Sequence, residues 1–188
     1  MLRHKKIILG VCGSIAAYKA AFLTRLLIKE EAEVQVILTS SASAFITPLT
    51  LATLSQKPVL TAFTASEQTG EWHNHVALGL WADALVIAPA SANTLAKMAQ
   101  GYCDNLLSAV YLSARCPVFV APAMDLDMYV HPAVKANMDK LRGYGNRVLE
   151  AGYGELASGL VGQGRMAEPE DILQVLQHHF QQKDFDLA

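Results

Sequence analysis

Short apolar runs recur along the chain at 5–11 (KKIILGV), 32–39 (AEVQVILT), 82–90 (ADALVIAPA), 116–123 (CPVFVAPA) and, more weakly, 146–152 (NRVLEAG). Short apolar runs of this kind suit strands covered on both faces. Between the first two, residues 14–30 place Ile15, Phe22, Leu23, Leu26 and Leu27 at helical spacing, opposite Lys19, Arg25 and Lys29. That spacing predicts an amphipathic helix and hence a βαβ unit. Further helices are predicted over 91–99, 104–114, 132–145, which closes on glycine, and 168–180. The alternation predicts an α/β chain, one domain over 1–188 built as a doubly wound, Rossmann-like or flavodoxin-like parallel sheet with helices on both faces. Two stretches fall outside this pattern and are expected to be mobile. Residues 64–72 carry few apolar anchors, and residues 151–169 hold five glycines over a length too great for a simple turn.

Composition narrows the function classes. With 52% apolar and 17% charged residues the chain has material for a sizeable core. A formal net charge of −2, with scattered Lys and Arg, gives no footprint for nucleic acid or an anionic membrane. The apolar run behind the basic N-terminus is too short for a signal sequence, and no segment approaches the ~20 apolar residues of a membrane span. Cys12, Cys103 and Cys116 are odd in number and lack CxxC spacing, so neither disulfides nor a metal site is expected. A reducing cytoplasm fits this usage.

In doubly wound sheets ligands collect beyond the carboxyl ends of the strands. The residues there are small or hydroxyl-bearing: Gly13 and Ser14 after the first run, Thr39 with Ser40 and Ser41 after the second, and Ser91, Asn93 and Thr94 after the third. Glycine permits close backbone approach, hydroxyls donate, and helix N-termini bind phosphate. Ser14, Ser91 and Asn93 also suit plain helix caps. A dinucleotide site would need GxGxxG and an acid ending the second strand. GVCGS lacks the former, and Thr39-Ser40-Ser41 stands in place of the latter. A mononucleotide with one terminal phosphate, such as FMN, fits better than NAD.

Four segments then carry a resemblance: GVCGSIAAYKA at 10–20, HVALGLWADALVIAPASANTLAKMAQGYCDNLL at 75–107, VAPAMDLDM at 120–128 and GELASGLVGQGRMAEP at 154–169. In order and spacing they resemble the motifs of flavin-dependent cysteine decarboxylases, within which the phosphopantothenoylcysteine decarboxylases are most similar. The resemblance covers nearly the whole chain. It implies FMN as cofactor, phosphopantothenoylcysteine as substrate and no metal. It also implies homotrimers, or dodecamers built from them, with FMN near the subunit contact. Such decarboxylases occur alone or fused to a phosphopantothenate–cysteine ligase, so the chain is expected to be a free-standing enzyme or the first half of a bifunctional one. The implied chemistry oxidises the cysteine CH₂–SH to a thioaldehyde, which accepts the electrons left by CO₂; the resulting ene-thiol is then reduced.

The resemblance also assigns residues. His75 matches the family's active-site histidine, a base or substrate-orienting group; read alone, His73 and His75 sit in a polar loop. Met124 and Asp125 fall in the loop that holds the substrate carboxylate, but the family's asparagine is here Asp125. An acid in that place either shares a proton with the substrate carboxylate or turns away to order the loop through backbone N–H groups. Arg165 suits a substrate phosphate or carboxylate, or a structural ion pair. The family's flexible clamp reads ACG, with a cysteine aiding the final reduction; here it reads Ala157-Ser158-Gly159, and a serine hydroxyl is a far weaker acid than a thiol. Cys12 and Cys103 are substitute donors to be weighed against burial. Ser158 gives some weight to a relative that stops at the ene-thiol, as peptidyl-cysteine decarboxylases do. A non-catalytic flavin-binding regulatory subunit is the third reading, which the retained His75 opposes.

Overall fold

The computed structural model describes residues 2–66 and 68–186, and the side chains only as far as Gln182. In chain order the elements are β1 (Lys6–Val11), α1 (Tyr18–Lys29), β2 (Glu33–Leu38), α2 (Pro48–Ser55), β3 (Thr64–Ser66), β4 (Glu71–Trp72), α3 (His75–Trp81) and β5 (Ala84–Ala90). There follow α4 (Ala92–Gln100), α5 (Leu106–Ser113), β6 (Val118–Pro122), α6 (Leu126–Val130), α7 (Pro132–Gly143), β7 (Arg147–Val148), β8 (Gly152–Glu155), β9 (Val161–Arg165) and α8 (Pro169–Asp186). The five apolar runs become one parallel sheet, ordered β2-β1-β5-β6-β7. That order reverses direction between β1 and β5, the flavodoxin-like arrangement.

Alternate residues of each strand feed two cores. Ile7, Leu9, Val34, Val36 and Val86 pack with Leu23 and Leu27 of α1, Leu51 of α2 and Leu176 of α8. Ile8, Ile37, Leu85, Ile87 and Val120 pack on the other face with Leu95 of α4, Leu107 and Val110 of α5 and Leu141 of α7. Each fully buried aliphatic side chain stabilises the fold by about 1.5–3 kcal/mol. None of the described helices is long and apolar enough to cross a membrane.

Three departures from the sequence reading matter for the site. The face of α1 is rotated: Lys19 is 6% exposed, whereas Ile15 and Phe22 are 63% and 60% exposed. The loop around His75 instead begins a helix, because the Asn74 side chain caps α3 by accepting from the Ala77 N–H at 3.0 Å. The two stretches expected to be mobile pair into antiparallel ribbons, β3 with β4 and β8 with β9. In the second ribbon the turn closes by a Leu156 N–H to Leu160 carbonyl bond of 2.8 Å, with Gly159 at φ 85°.

Candidate functional site

A cavity of about 610 Å³ opens beyond the carboxyl ends of β1, β5 and β6, at the point where strand order reverses. From the β1 end come Gly13 and Ser14, and from the β5 end Ser91 and Ala92. The β6 end supplies Ala123, Met124 and Asp125, while the β8–β9 ribbon forms the outer wall with Glu155, Ser158 and Arg165. Seven residues expected at a site are therefore brought together: Gly13, Ser14, Ser91, Met124, Asp125, Ser158 and Arg165.

Each is positioned by local chemistry. Gly13 has no room for a side chain, since a Cβ would lie 2.6 Å from Ser41 Oγ; the ends of β1 and β2 close on each other here. Ser14 Oγ accepts from the Ala16 N–H at 3.2 Å, which caps the helical turn Ile15–Ala17. Ser91 caps α4, accepting from the Thr94 N–H at 3.3 Å and donating to Thr94 Oγ1 at 3.3 Å. Asp125 caps α6, its Oδ1 accepting from the Leu126 N–H at 2.7 Å. The loop-ordering alternative for this acid thus has a bond of its own. The ribbon is seated by a Met124 N–H to Gly164 carbonyl bond of 3.0 Å. Ser158, at its exposed turn, accepts from the Leu160 N–H at 3.4 Å.

Thr39, Asn93, Thr94 and His75 do not line this cavity. Thr39 is buried between the ends of β1 and β2, its N–H donating to the Val11 carbonyl at 3.0 Å and its hydroxyl 3.2 Å from Ser41 Oγ. Thr94 faces inward beneath Ser91 and takes the Cys12 Sγ–H at 3.2 Å, while Asn93 is exposed on the first turn of α4. Cys12 is fully buried; desolvation pushes its thiol up, against the opposing bonds from Thr94 and Ser91. It is a reluctant proton source. Cys103 is exposed in the loop between α4 and α5, outside the cavity lining. His75 sits at the start of α3, its ring 6.1 Å edge-on from Phe63 and 5.9 Å from Trp72, and its Nδ1 is buried without a hydrogen-bond partner.

Sequence reading missed Lys19, which lines the cavity and donates to the Met166 carbonyl at 3.0 Å and to Glu168 Oε1 at 2.7 Å. Its signal was present. Lys19, Leu23 and Leu27 stand four apart, so the lysine shares the core stripe of α1.

The family model described as Flavoprotein matches residues 1–181. The chain belongs to that family. It is 59% identical over 138 residues, 73% of its length, to a cysteine/cysteine sulfinic acid decarboxylase from an unknown prokaryotic organism, of which it covers 38%. It is 43% identical over 180 residues, 96% of its length, to the coenzyme A biosynthesis bifunctional protein CoaBC of Bacillus subtilis, of which it covers 44%. The chain thus spans less than half the length of these curated relatives. Among solved structures, a PPC decarboxylase mutant complexed with pantothenoylaminoethenethiol superposes with a TM-score of 0.83 at 35% identity, covering 95% of this chain and 100% of that one. Further solved neighbours are described as an FMN-dependent cysteine decarboxylase and an FMN-binding protein.

Proposed function

We propose that this chain performs FMN-dependent decarboxylation of 4'-phosphopantothenoylcysteine to 4'-phosphopantetheine in coenzyme A biosynthesis. The observation that carries the reading is the cavity at the strand-order reversal, where a glycine without room for a Cβ and two capping hydroxyls meet the Met124–Asp125 loop and the ribbon. Such a cradle fits a flavin mononucleotide. Ser14, Ser91 and the first turn of α4, with Asn93 and Thr94, would hold it, and Thr39 would brace the cradle from behind. When bound, FMN supplies the electron sink that loss of CO₂ requires. Met124, Asp125 and Arg165 would then orient substrate, and the ribbon would exclude water. Conversion of 4'-phosphopantothenoylcysteine by the FMN-loaded protein to a product lighter by CO₂ tests the reading.

His75 lies outside the cavity of its own chain, so we assign its role to a neighbouring copy within a trimer or a larger assembly of trimers. The exposed Ile15 and Tyr18, which line the cavity, with Phe22 beside them, and the exposed Trp72, Val76 and Leu80 around α3 are apolar surfaces suited to such a contact. The cytoplasm is the proposed compartment, in keeping with three cysteines that form no disulfide.

Free cysteine is a second substrate reading, favoured by the 59% identical relative and by Asp125, whose carboxylate suits an α-ammonium better than a second carboxylate does. Asp125→Asn separates the two. For phosphopantothenoylcysteine the amide removes a like charge, and KM is expected to fall by about fivefold; for free cysteine it is expected to rise by a similar factor. Steady-state kinetics on both substrates checks this. A rise on both would leave Asp125 with loop ordering alone.

Ser158→Cys is expected to raise the ratio of phosphopantetheine to ene-thiol severalfold, with CO₂ release nearly unchanged, because oxidation and decarboxylation precede the protonation that a thiol would assist. Product ratios by mass spectrometry check it. An unchanged ratio removes Ser158 from the final reduction.

A further inference from the structure

Lys19 on α1 and Arg165 on β9 both line the cavity, and both turn to one carboxylate. Lys19 Nζ lies 2.7 Å from Glu168 Oε1, and Arg165 Nη2 lies 3.7 Å from the same oxygen. Glu168 does not line the cavity; it stands at the junction of β9 and α8, where its carbonyl also accepts the Ile172 N–H at 3.1 Å. The lysine is anchored further by the Met166 carbonyl, so α1 is tied to the base of the ribbon. The two cations are held unequally. The Lys19 side chain is 7% exposed and tightly paired, whereas that of Arg165 is 42% exposed and loosely paired.

We propose that Glu168 is a positioning residue that gathers Lys19 and Arg165 at the base of the ribbon, setting both its closure over the cavity and the positive charge offered to an anionic group of the ligand. A buried ammonium stripped of its charge partner is strongly disfavoured, so without Glu168 the α1-to-ribbon tie fails first. Arg165, half in water, exchanges Glu168 for a ligand phosphate or carboxylate at small cost, since a planar guanidinium binds either group in the same forked way. Asp125 and Glu155 also line the cavity, and their negative charges make the placement of these cations decisive for an anionic ligand. The kinetic part rests on the decarboxylase reading; ribbon closure does not.

The test uses the FMN-loaded protein. Chymotrypsin cleavage at the exposed Tyr153 and Leu160 reports closure, and KM against kcat for phosphopantothenoylcysteine reports anion recognition. Glu168→Gln is expected to be cleaved about tenfold faster, and to raise KM about tenfold with kcat within about twofold. Glu168→Asp, which keeps the charge, recovers part of both and stands in if the glutamine variant does not fold. In a Lys19→Met background, where no ammonium needs a partner, adding Glu168→Gln should no longer accelerate cleavage. Unchanged cleavage, a fall in kcat at constant KM, or a Glu168→Gln effect that persists beside Lys19→Met each overturns the proposal. Absence of turnover in the parent protein would sink the decarboxylase reading alone, with the cleavage comparison still deciding the role of Glu168.

Discussion

His75→Asn is expected to retain flavin and assembly while losing decarboxylation by about 10²–10⁴-fold, the range typical of a removed general acid or base. Flavin should stay because the cradle of Gly13, Ser14 and Ser91 that would hold it does not include His75. Assembly should stay because the exposed apolar residues Trp72, Val76 and Leu80 around α3 are untouched and Asn74 still caps the helix. The loss should be large for a specific reason. A buried Nδ1 without a partner is costly to maintain in a folded chain, and an imidazole held edge-on by Phe63 and Trp72 has its orientation fixed by packing. Mixing subunits gives the sharper test. If His75 acts in a neighbour's cavity, oligomers assembled from His75→Asn and an inactive cavity variant should regain part of the activity. Parental rates in His75→Asn would remove it from the mechanism.

Gly164→Ala is the second large effect. A Cβ there would collide with the Met124 carbonyl oxygen, which belongs to the backbone and cannot rotate away, at a φ of 155° that side chains seldom adopt. The bond between the Met124 N–H and the Gly164 carbonyl seats the ribbon, so the collision forces the two strands of the site apart. Overpacking of this kind costs about 1–3 kcal/mol. The expected result is a lower unfolding midpoint, faster cleavage within 151–165 and weaker substrate binding, with the sheet intact by circular dichroism. Gly143→Ala is the control, because nothing lies within 4 Å of its added Cβ. Equal behaviour of the two variants would show that the ribbon's seat does not matter.

These outcomes depend on features that the sequence displays unequally. The central strands β1, β5 and β6 were legible because burial on both faces demands nearly unbroken apolar runs, whereas the edge strands β2 and β7 carry polar residues; the hydroxyls and glycine at the strand ends followed from that placement. The buried face of α1 was misread, since Ile15 and Phe22 suggest a core stripe only if every apolar residue of a helix is assumed to face inward. Lys19, four residues before Leu23, would have corrected it. The β8–β9 ribbon was hidden for another reason. Its glycines read as flexibility, but Gly164 is demanded by contact with a distant loop at Met124, and no local pattern records that. Likewise, the position of His75 outside its own cavity is set by the α3 packing and could not be read from its motif.

The protein is loaded with FMN, incubated anaerobically with 4'-phosphopantothenoylcysteine, and the products are identified by mass spectrometry. Bound flavin and two products are expected: phosphopantetheine, lighter than the substrate by CO₂, and at most one equivalent per flavin of ene-thiol, lighter by two further hydrogens that stay on the flavin, a share that Ser158→Cys reduces. Failure to bind flavin, or intact substrate after incubation with a flavin-loaded assembly, would contradict it.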